Sequence, residues 1–282
     1  MRQFPQTFRK VPMPPNSRSL IMDLFGEYLR YANQGEIRLG SLLDLLESFE
    51  IERSSARVTL SRLRDEAWFT TYRTGRETVY RLSDRMQEVL DKGRERIFTR
   101  VDDEWDGWWT QLFYQIPEAK RNSRETLRKQ LTWLGFGQFA SSTWLSPRQE
   151  DKRIKQLQGD FPEASMAVLR SRTTELTSDE ELVSRCWDLN KLTEDYQDFI
   201  KRYSAMEGGK LPEGQGALKT QIELLADTRR LTFRDPNLPI ELQPKNWPGR
   251  EAFELFRRLH FRLSMPATSY VESVIGAVVT DW

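Results

Sequence analysis

The chain has 282 residues, 38% of them hydrophobic and 11% aromatic, and its charged residues (30%) are of mixed sign, a composition that excludes bulk disorder and allows two or three domains. The net charge of +1 hides an asymmetry: residues 1–100 carry 18 Lys/Arg against 14 Asp/Glu, so a basic N-terminal third precedes a mildly acidic remainder. That division suits one polyanion-binding module joined to other domains. With one cysteine, Cys186, and one histidine, His260, a disulfide framework and a standard zinc site are excluded.

No stretch approaches the ~18 apolar residues of a membrane-spanning helix, and Met1–Pro15 holds no apolar run of signal-peptide length, so a soluble cytoplasmic protein is expected. Residues 1–16, with Pro5, Pro12, Pro14 and Pro15, predict an extended arm. From Ser17 the pattern turns helical, with Leu20, Ile21, Leu24, Phe25 and Tyr28 on one face and Ser17 or Asn16 as cap. Asn33-Gln34-Gly35 is expected to end that helix, and a short strand follows at Glu36–Leu39. A second helix is predicted at Ser41–Phe49, with the stripe Leu42, Leu45, Leu46, Phe49. After a break at Glu50-Ile51-Glu52 a third helix covers Arg53–Ala67, burying Ala56, Leu60, Leu63 and Ala67. Two extended runs, Trp68–Arg73 and Arg76–Leu82, flank a two-residue loop at Thr74-Gly75. A helix over Ser83–Phe98 closes the unit.

Helix, short strand, helix, tight turn, helix and hairpin is the order of a winged helix-turn-helix, expected over residues 17–100. In that fold the third helix enters the major groove and the hairpin lies along the DNA backbone. The outward face carries Ser54, Ser55, Val58, Ser61, Arg62 and Asp65, with Arg57 and Arg64 on its flank. Arg bonds guanine O6 and N7 in pairs, and Ser takes phosphate or base contacts. Asp65 is a counter-signal near the far end. Arg73 and Arg76 bracket the hairpin tip, where phosphate or the minor groove would lie. The expected DNA-contacting set is therefore Ser54, Ser55, Arg57, Val58, Ser61, Arg62, Arg73 and Arg76.

The middle segment, 101–177, predicts a strand at Trp108–Ile116, a helix at Ser123–Leu134 with an Asn122/Glu125 capping box, and a strand at Gln138–Leu145. A helix near Pro147–Gln158 and a strand near Ala164–Arg170 complete a β-α-β-α-β order, which suits a small ferredoxin-like domain. Residues 178–282 predict a helical domain. A capping box at Ser178/Glu181 opens a long helix to Met206, further helices cover Gln215–Phe233 and Arg250–Leu263, and Asp235–Pro239 forms a loop. The overall class is α+β.

The chain resembles the PaaX family, repressors of phenylacetic-acid degradation operons. The likeness runs from Ser17 to Leu263, over SLIMDLFG (19–26), LGSLLDLLESF (39–49), ARVTLSRLRDEAWF (56–69), YRTGRETVYRL (72–82), QIPE (115–118), LTWLGFG (131–137), WLSPR (144–148), WDLNKL (187–192) and DPNLPIELQPKNWPG (235–249). It implies a homodimer that binds double-stranded operator DNA and is released by an aryl acyl-CoA, phenylacetyl-CoA in the best-known members, with no cofactor and no enzymatic activity. It places Arg57 and Arg62 in the recognition helix and Arg73 and Arg76 in the wing, and it assigns no effector residues.

The middle domain also resembles small ferredoxin-like subunits of CRISPR adaptation, some of which are metal-dependent nucleases. This opens the alternative of a nuclease or RNA-processing protein. Those proteins place an Asp at the end of the first strand, where this chain has Gln115, a poor sole ligand for Mg²⁺. The acidic runs Asp102-Asp103-Glu104 and Asp179-Glu180-Glu181 are expected to be a solvated linker and a helix N-terminus. Trp105, Trp108 and Trp109, His260 and Cys186 are expected to pack rather than react. No Walker loop, dinucleotide fingerprint or Gly-x-Ser-x-Gly elbow is present.

Overall fold

The computed structural model describes residues 17–100 and 103–280, so the expected arm at 1–16 lies outside the described residues, as does Asp102. The chain divides into two compact units: Met1–Asp91 with Glu213–Ile222 and Met265–Trp282, and Lys92–Pro212 with Glu223–Ser264.

In the first unit, α1 spans Ser17–Glu27 and buries Leu20, Ile21, Leu24 and Phe25, and the fifth predicted apolar residue, Tyr28, is buried just past its end. It stops earlier than expected. Two 3-10 turns, Leu29–Tyr31 and Asn33–Gly35, follow it, and Gln34 and Gly35 both take positive φ. Strand β1 (Glu36–Arg38) leads into α2 (Leu39–Glu47), which buries Leu42, Leu43, Leu45 and Leu46. Glu50, at φ 63°, turns the chain into α3 (Arg53–Asp65). Ala56, Leu60 and Leu63 are fully buried, as the 3.6-residue period requires. Ala67 corrects the expectation: it is exposed, lies beyond the helix and takes φ 59°, reversing the chain where a buried stripe residue was predicted.

β2 (Phe69–Thr74) and β3 (Glu77–Leu82) form the hairpin, and β3 also pairs with β1, giving the antiparallel order β1-β3-β2. Thr74 pairs with Glu77, so the loop is Gly75-Arg76, one residue later than predicted. Gly75 has φ 61° and Arg76 is not at positive φ, the pattern of a type II′ turn, in which the first loop residue is the one that must be glycine. Phe69 on β2 tilts against Phe25 of α1 at 4.8 Å and meets Tyr80 edge-on at 5.9 Å, tying sheet to helices. Within the same unit Tyr28 donates to Gln221 Oε1 at 2.7 Å, and Ala32 bridges Val279. The next helix, α4, spans Asp84–Phe98.

In the second unit, β4 (Trp109–Gln115), α5 (Arg121–Trp133), β5 (Gly137–Ala140), β6 (Thr143–Ser146), α6 (Asp151–Asp160) and β7 (Ser165–Ser171) follow one another. The sheet is antiparallel with order β5-β6-β4-β7. This β-α-β-β-α-β order is ferredoxin-like. The single strand expected at Gln138–Leu145 is a hairpin, turned at Ser141-Ser142. The Asn122 capping box does not form either, because a 3-10 turn at Glu118–Lys120 starts the helix early and puts Asn122 inside it. One core holds Leu112, Tyr114, Leu127, Leu131, Trp144 and Ile154. A second gathers Trp109, Leu145, Val183, Leu238 and Leu242, with Trp105 and Trp187 packed on it.

The expected long helix is broken into α7 (Asp179–Cys186) and α8 (Leu189–Tyr203). The Ser178/Glu181 capping box forms, while Trp187 is extended and Asp188 caps α8 by accepting from the Lys191 N–H at 3.2 Å. After α9 (Gly214–Thr232), α10 runs Gly249–Ile275, well past the predicted end at Leu263. Pro266 removes an amide donor from this helix, a loss of about 3 kcal/mol in a helix interior. Ala267 and Val271 beyond it are fully buried, and that burial holds the helix on course.

Candidate nucleic-acid interface

Three inward residues orient α3. With Ala56, Leu60 and Leu63 fixed in the core, helix geometry turns the residues between them to solvent. Ser54, Ser55, Arg57, Val58 and Arg62 are all exposed, Val58 at 53%, and Ser61 is half-buried. An exposed valine amid arginines and serines is an unpaired apolar surface on an otherwise hydrophilic face. The N-cap, Glu52, makes no side-chain bond to the first-turn amides. Those amides remain available, and the helix dipole favours an anion beside them.

The basic residues of this region fall into two sets. Arg53 bonds Asp44 at 2.5 Å and Glu47 at 3.1 Å, so α2 holds its head. Arg64 donates to Asp65 at 2.8 and 3.0 Å and to Ser61 Oγ at 3.0 Å. These bonds neutralise Asp65 locally, which weakens the counter-signal that Asp65 gave in the sequence, and they raise the pKa of Arg64. Arg38 and Arg81 on the sheet pair with Glu77 at 3.3 Å and Glu36 at 3.9 Å. By contrast, Arg57, Arg62, Arg73 and Arg76 are exposed and, among the described residues, carry no ion pair. Unpaired guanidiniums on consecutive elements can bind a polyanion without first breaking an internal bond. The sequence alone could not separate the two sets, because the acids that hold Arg53, Arg38 and Arg81 come from other elements. Exposed Tyr72, whose hydroxyl donates to Glu36 at 2.7 Å, adds an aromatic to the hairpin that sequence reasoning did not single out.

The other residues weighed in the sequence find packing roles. Trp109 is fully buried and donates to Asp179 at 2.7 Å, while Trp105 meets it edge-on at 5.3 Å. Trp108, 37% exposed, is stacked by Arg172 at 4.4 Å. His260 is buried against Phe98 and Phe256. Burial pushes the Cys186 thiol up to about 11. Asp103 corrects the linker expectation: it takes two hydrogen bonds from Arg148, at 2.7 and 2.8 Å. Gln115 is the exposed last residue of β4, paired with Ser165. Among the described residues no group of three or more His, Cys, Asp or Glu could hold a metal ion, and no helix is long and apolar enough to cross a membrane.

Three family models match in succession: the PaaX-like protein model over residues 16–86, the PaaX protein central Cas2-like domain over 102–183, and the PaaX-like protein C-terminal domain over 187–273. The transcriptional repressor PaaX of Escherichia coli is 30% identical over an alignment of 278 residues, spanning 92% of this chain and 84% of that protein. A solved structure of an uncharacterized Mycobacterium tuberculosis protein superposes with a TM-score of 0.53 at 21% identity, over 83% of this chain and 89% of that one, a likeness of fold. Basic helix, basic hairpin, ferredoxin-like centre and helical C-terminal segment thus lie within three matches in the family's own order: the chain belongs to the PaaX family.

Proposed function

We propose that this protein is a transcriptional repressor of a phenylacetate-type catabolic operon, and that residues 17–100 are a winged helix-turn-helix holding its operator. Helix α3 would lie in the major groove, with Arg57 and Arg62 at base edges or phosphates and Ser54, Ser55, Val58 and Ser61 beside them. Arg73 and Arg76 would meet the flanking backbone from the wing. The observation that carries this reading is the set of four exposed arginines on α3 and the hairpin that have no acid partner among the described residues, when the neighbouring arginines are paired.

Kinship with a transcriptional repressor supports extending this reading to the rest of the chain. Residues 101–177 would form the ferredoxin-like domain and 178–282 the helical domain of a cytoplasmic homodimer without enzymatic activity or cofactor. An aryl acyl-CoA such as phenylacetyl-CoA would release the dimer from DNA by favouring a geometry that no longer spans both half-sites. Moving the population from one state to the other takes a differential affinity of a few kcal/mol. A gel-shift titration with DNA upstream of the regulated operon tests both steps. The expected result is a specific complex that phenylacetyl-CoA dissolves. Absence of any complex with that DNA refutes the repressor reading, and a complex indifferent to acyl-CoAs refutes the release step.

A further inference from the structure

The turn between α2 and α3, residues 48–52, fixes the angle at which α3 leaves α2. Its main-chain bonds are local: the Phe49, Glu50 and Ile51 amides donate to the carbonyls of Leu46, Glu47 and Leu46 at 3.0, 2.9 and 3.3 Å. Glu50 has φ 63°, a left-handed conformation that a residue with a Cβ adopts at a cost and that its surroundings must maintain.

That support comes from the far end of the chain. Glu213–Ile222 and Met265–Trp282 belong to the same compact unit as this turn. Ser48, 7% exposed, gives its hydroxyl proton to the Asp44 carbonyl at 3.2 Å, so the Tyr270 hydroxyl at 2.9 Å is the donor to Ser48 Oγ. The Ser48 main-chain carbonyl lies at the end of α2, where acceptors run out of helical partners, and it accepts from Gln215 Nε2 at 2.8 Å. Lys219 adds an ion pair to the exposed Glu50 carboxylate at 3.1 Å, a surface contact that contributes little. The two helices are anchored beside these groups: Ala217 and Leu218 on α9 and Ala267 and Val271 on α10 are fully buried. One buried serine is thus held by side chain and main chain at once, from residues 222 and 167 positions along the chain.

We propose that Tyr270 and Gln215 are positioning residues for DNA recognition: by fixing Ser48 they hold α3 at the angle from which it reads bases. This rests on the reading of α3 as the recognition helix given above. Binding groups must sit within about 0.5 Å and 10–20° of their productive geometry, whereas nonspecific DNA binding rests on charge. A turn that opens part of the time lowers the fraction of molecules ready to bind the operator, and the apparent operator affinity falls in proportion.

Tyr270→Phe removes one donor and keeps the ring, and Gln215→Ala changes an exposed side chain, so both variants and their combination are expected to fold, as circular dichroism checks. Hydrogen exchange of the full chain reads the turn itself. The Phe49, Glu50 and Ile51 amides should exchange about two- to tenfold faster in each single variant, the factor of one lost hydrogen bond, while the amides of α8 in the second unit exchange as in the wild type. Anisotropy titration then compares a duplex from upstream of the regulated operon with a scrambled duplex of equal length. The double variant should bind the first about tenfold more weakly and the second as the wild type does. Turn amides that exchange at the wild-type rate in the double variant overturn the clamp. Faster exchange with wild-type operator affinity overturns the positioning role, as does an equal loss on the two duplexes. A wild type that does not distinguish the duplexes removes the DNA-recognition reading, and the positioning role falls with it, while the exchange rates still report whether the clamp exists.

Discussion

Arg57 and Arg62 are exposed on one helix, while Arg64 on the same helix is held by Asp65 and Ser61. Replacing Arg57 or Arg62 with Ala is expected to weaken operator binding by about 1–3 kcal/mol where a bidentate base contact is lost. Arg64→Ala should have a smaller effect, because the wild-type residue must first release an acid. Anisotropy titrations of the three variants against one duplex compare them. Glu150 gives a prediction about stability. Burial of its carboxyl raises its pKa above the ordinary 4.5, the nearby Arg153 offsetting this only in part. A carboxyl raised on folding binds its proton more tightly in the native state, so its destabilising effect is full above the folded pKa and disappears below 4.5. Glu150→Gln should therefore raise the thermal midpoint at pH 7 and leave it unchanged at pH 4, as calorimetry at the two pH values would show. Exposed arginines are legible in the sequence because Ala56, Leu60 and Leu63 fix the helix phase. The left-handed turn at Ala67 is not, since alanine carries no signal for positive φ.

Elements were legible where local chemistry marks their ends. The Ser178/Glu181 box and the Gly75 turn are read directly, the latter one residue out of place because Thr74 still pairs with Glu77. The β5–β6 hairpin was not legible, because Ser141-Ser142 lacks the Asn-Gly or Gly-x signal of a tight turn. Trp187 hides a helix break for a tertiary reason: it leaves the helix to stack on Trp109 at 6.2 Å. That packing requires Gly137 on β5, where an added Cβ would lie 2.5 Å from the Trp187 ring and 2.6 Å from Cys186. Gly137→Ala should destabilise the protein by about 1–3 kcal/mol through overpacking. Urea unfolding measures the loss, and a substitution without effect would show that β5 and Trp187 are not in tight contact. At the hairpin, Arg73→Ala and Arg76→Ala should each lower the slope of log affinity against log salt by about one, with little change in sequence preference.

At the scale of the whole molecule the three family matches follow one another along the chain, whereas the compact units do not follow chain order: Glu213–Ile222 and Met265–Trp282 group with Met1–Asp91. The cavity of the second unit could not be foreseen from patterning. Its walls come from segments more than a hundred residues apart, such as Arg96 and Phe253, and no spacing rule links them. The same holds for the pairing that ties some arginines and, among the described residues, leaves others without an acid partner. The central claim is that the free set on α3 and the hairpin holds operator DNA. Its most direct test is the affinity of a chain carrying Arg57→Ala, Arg62→Ala, Arg73→Ala and Arg76→Ala together for the DNA upstream of its operon, measured beside the wild type over a range of salt. The account predicts loss of the specific complex with an unchanged thermal midpoint; wild-type affinity and salt dependence in the folded fourfold variant would contradict it.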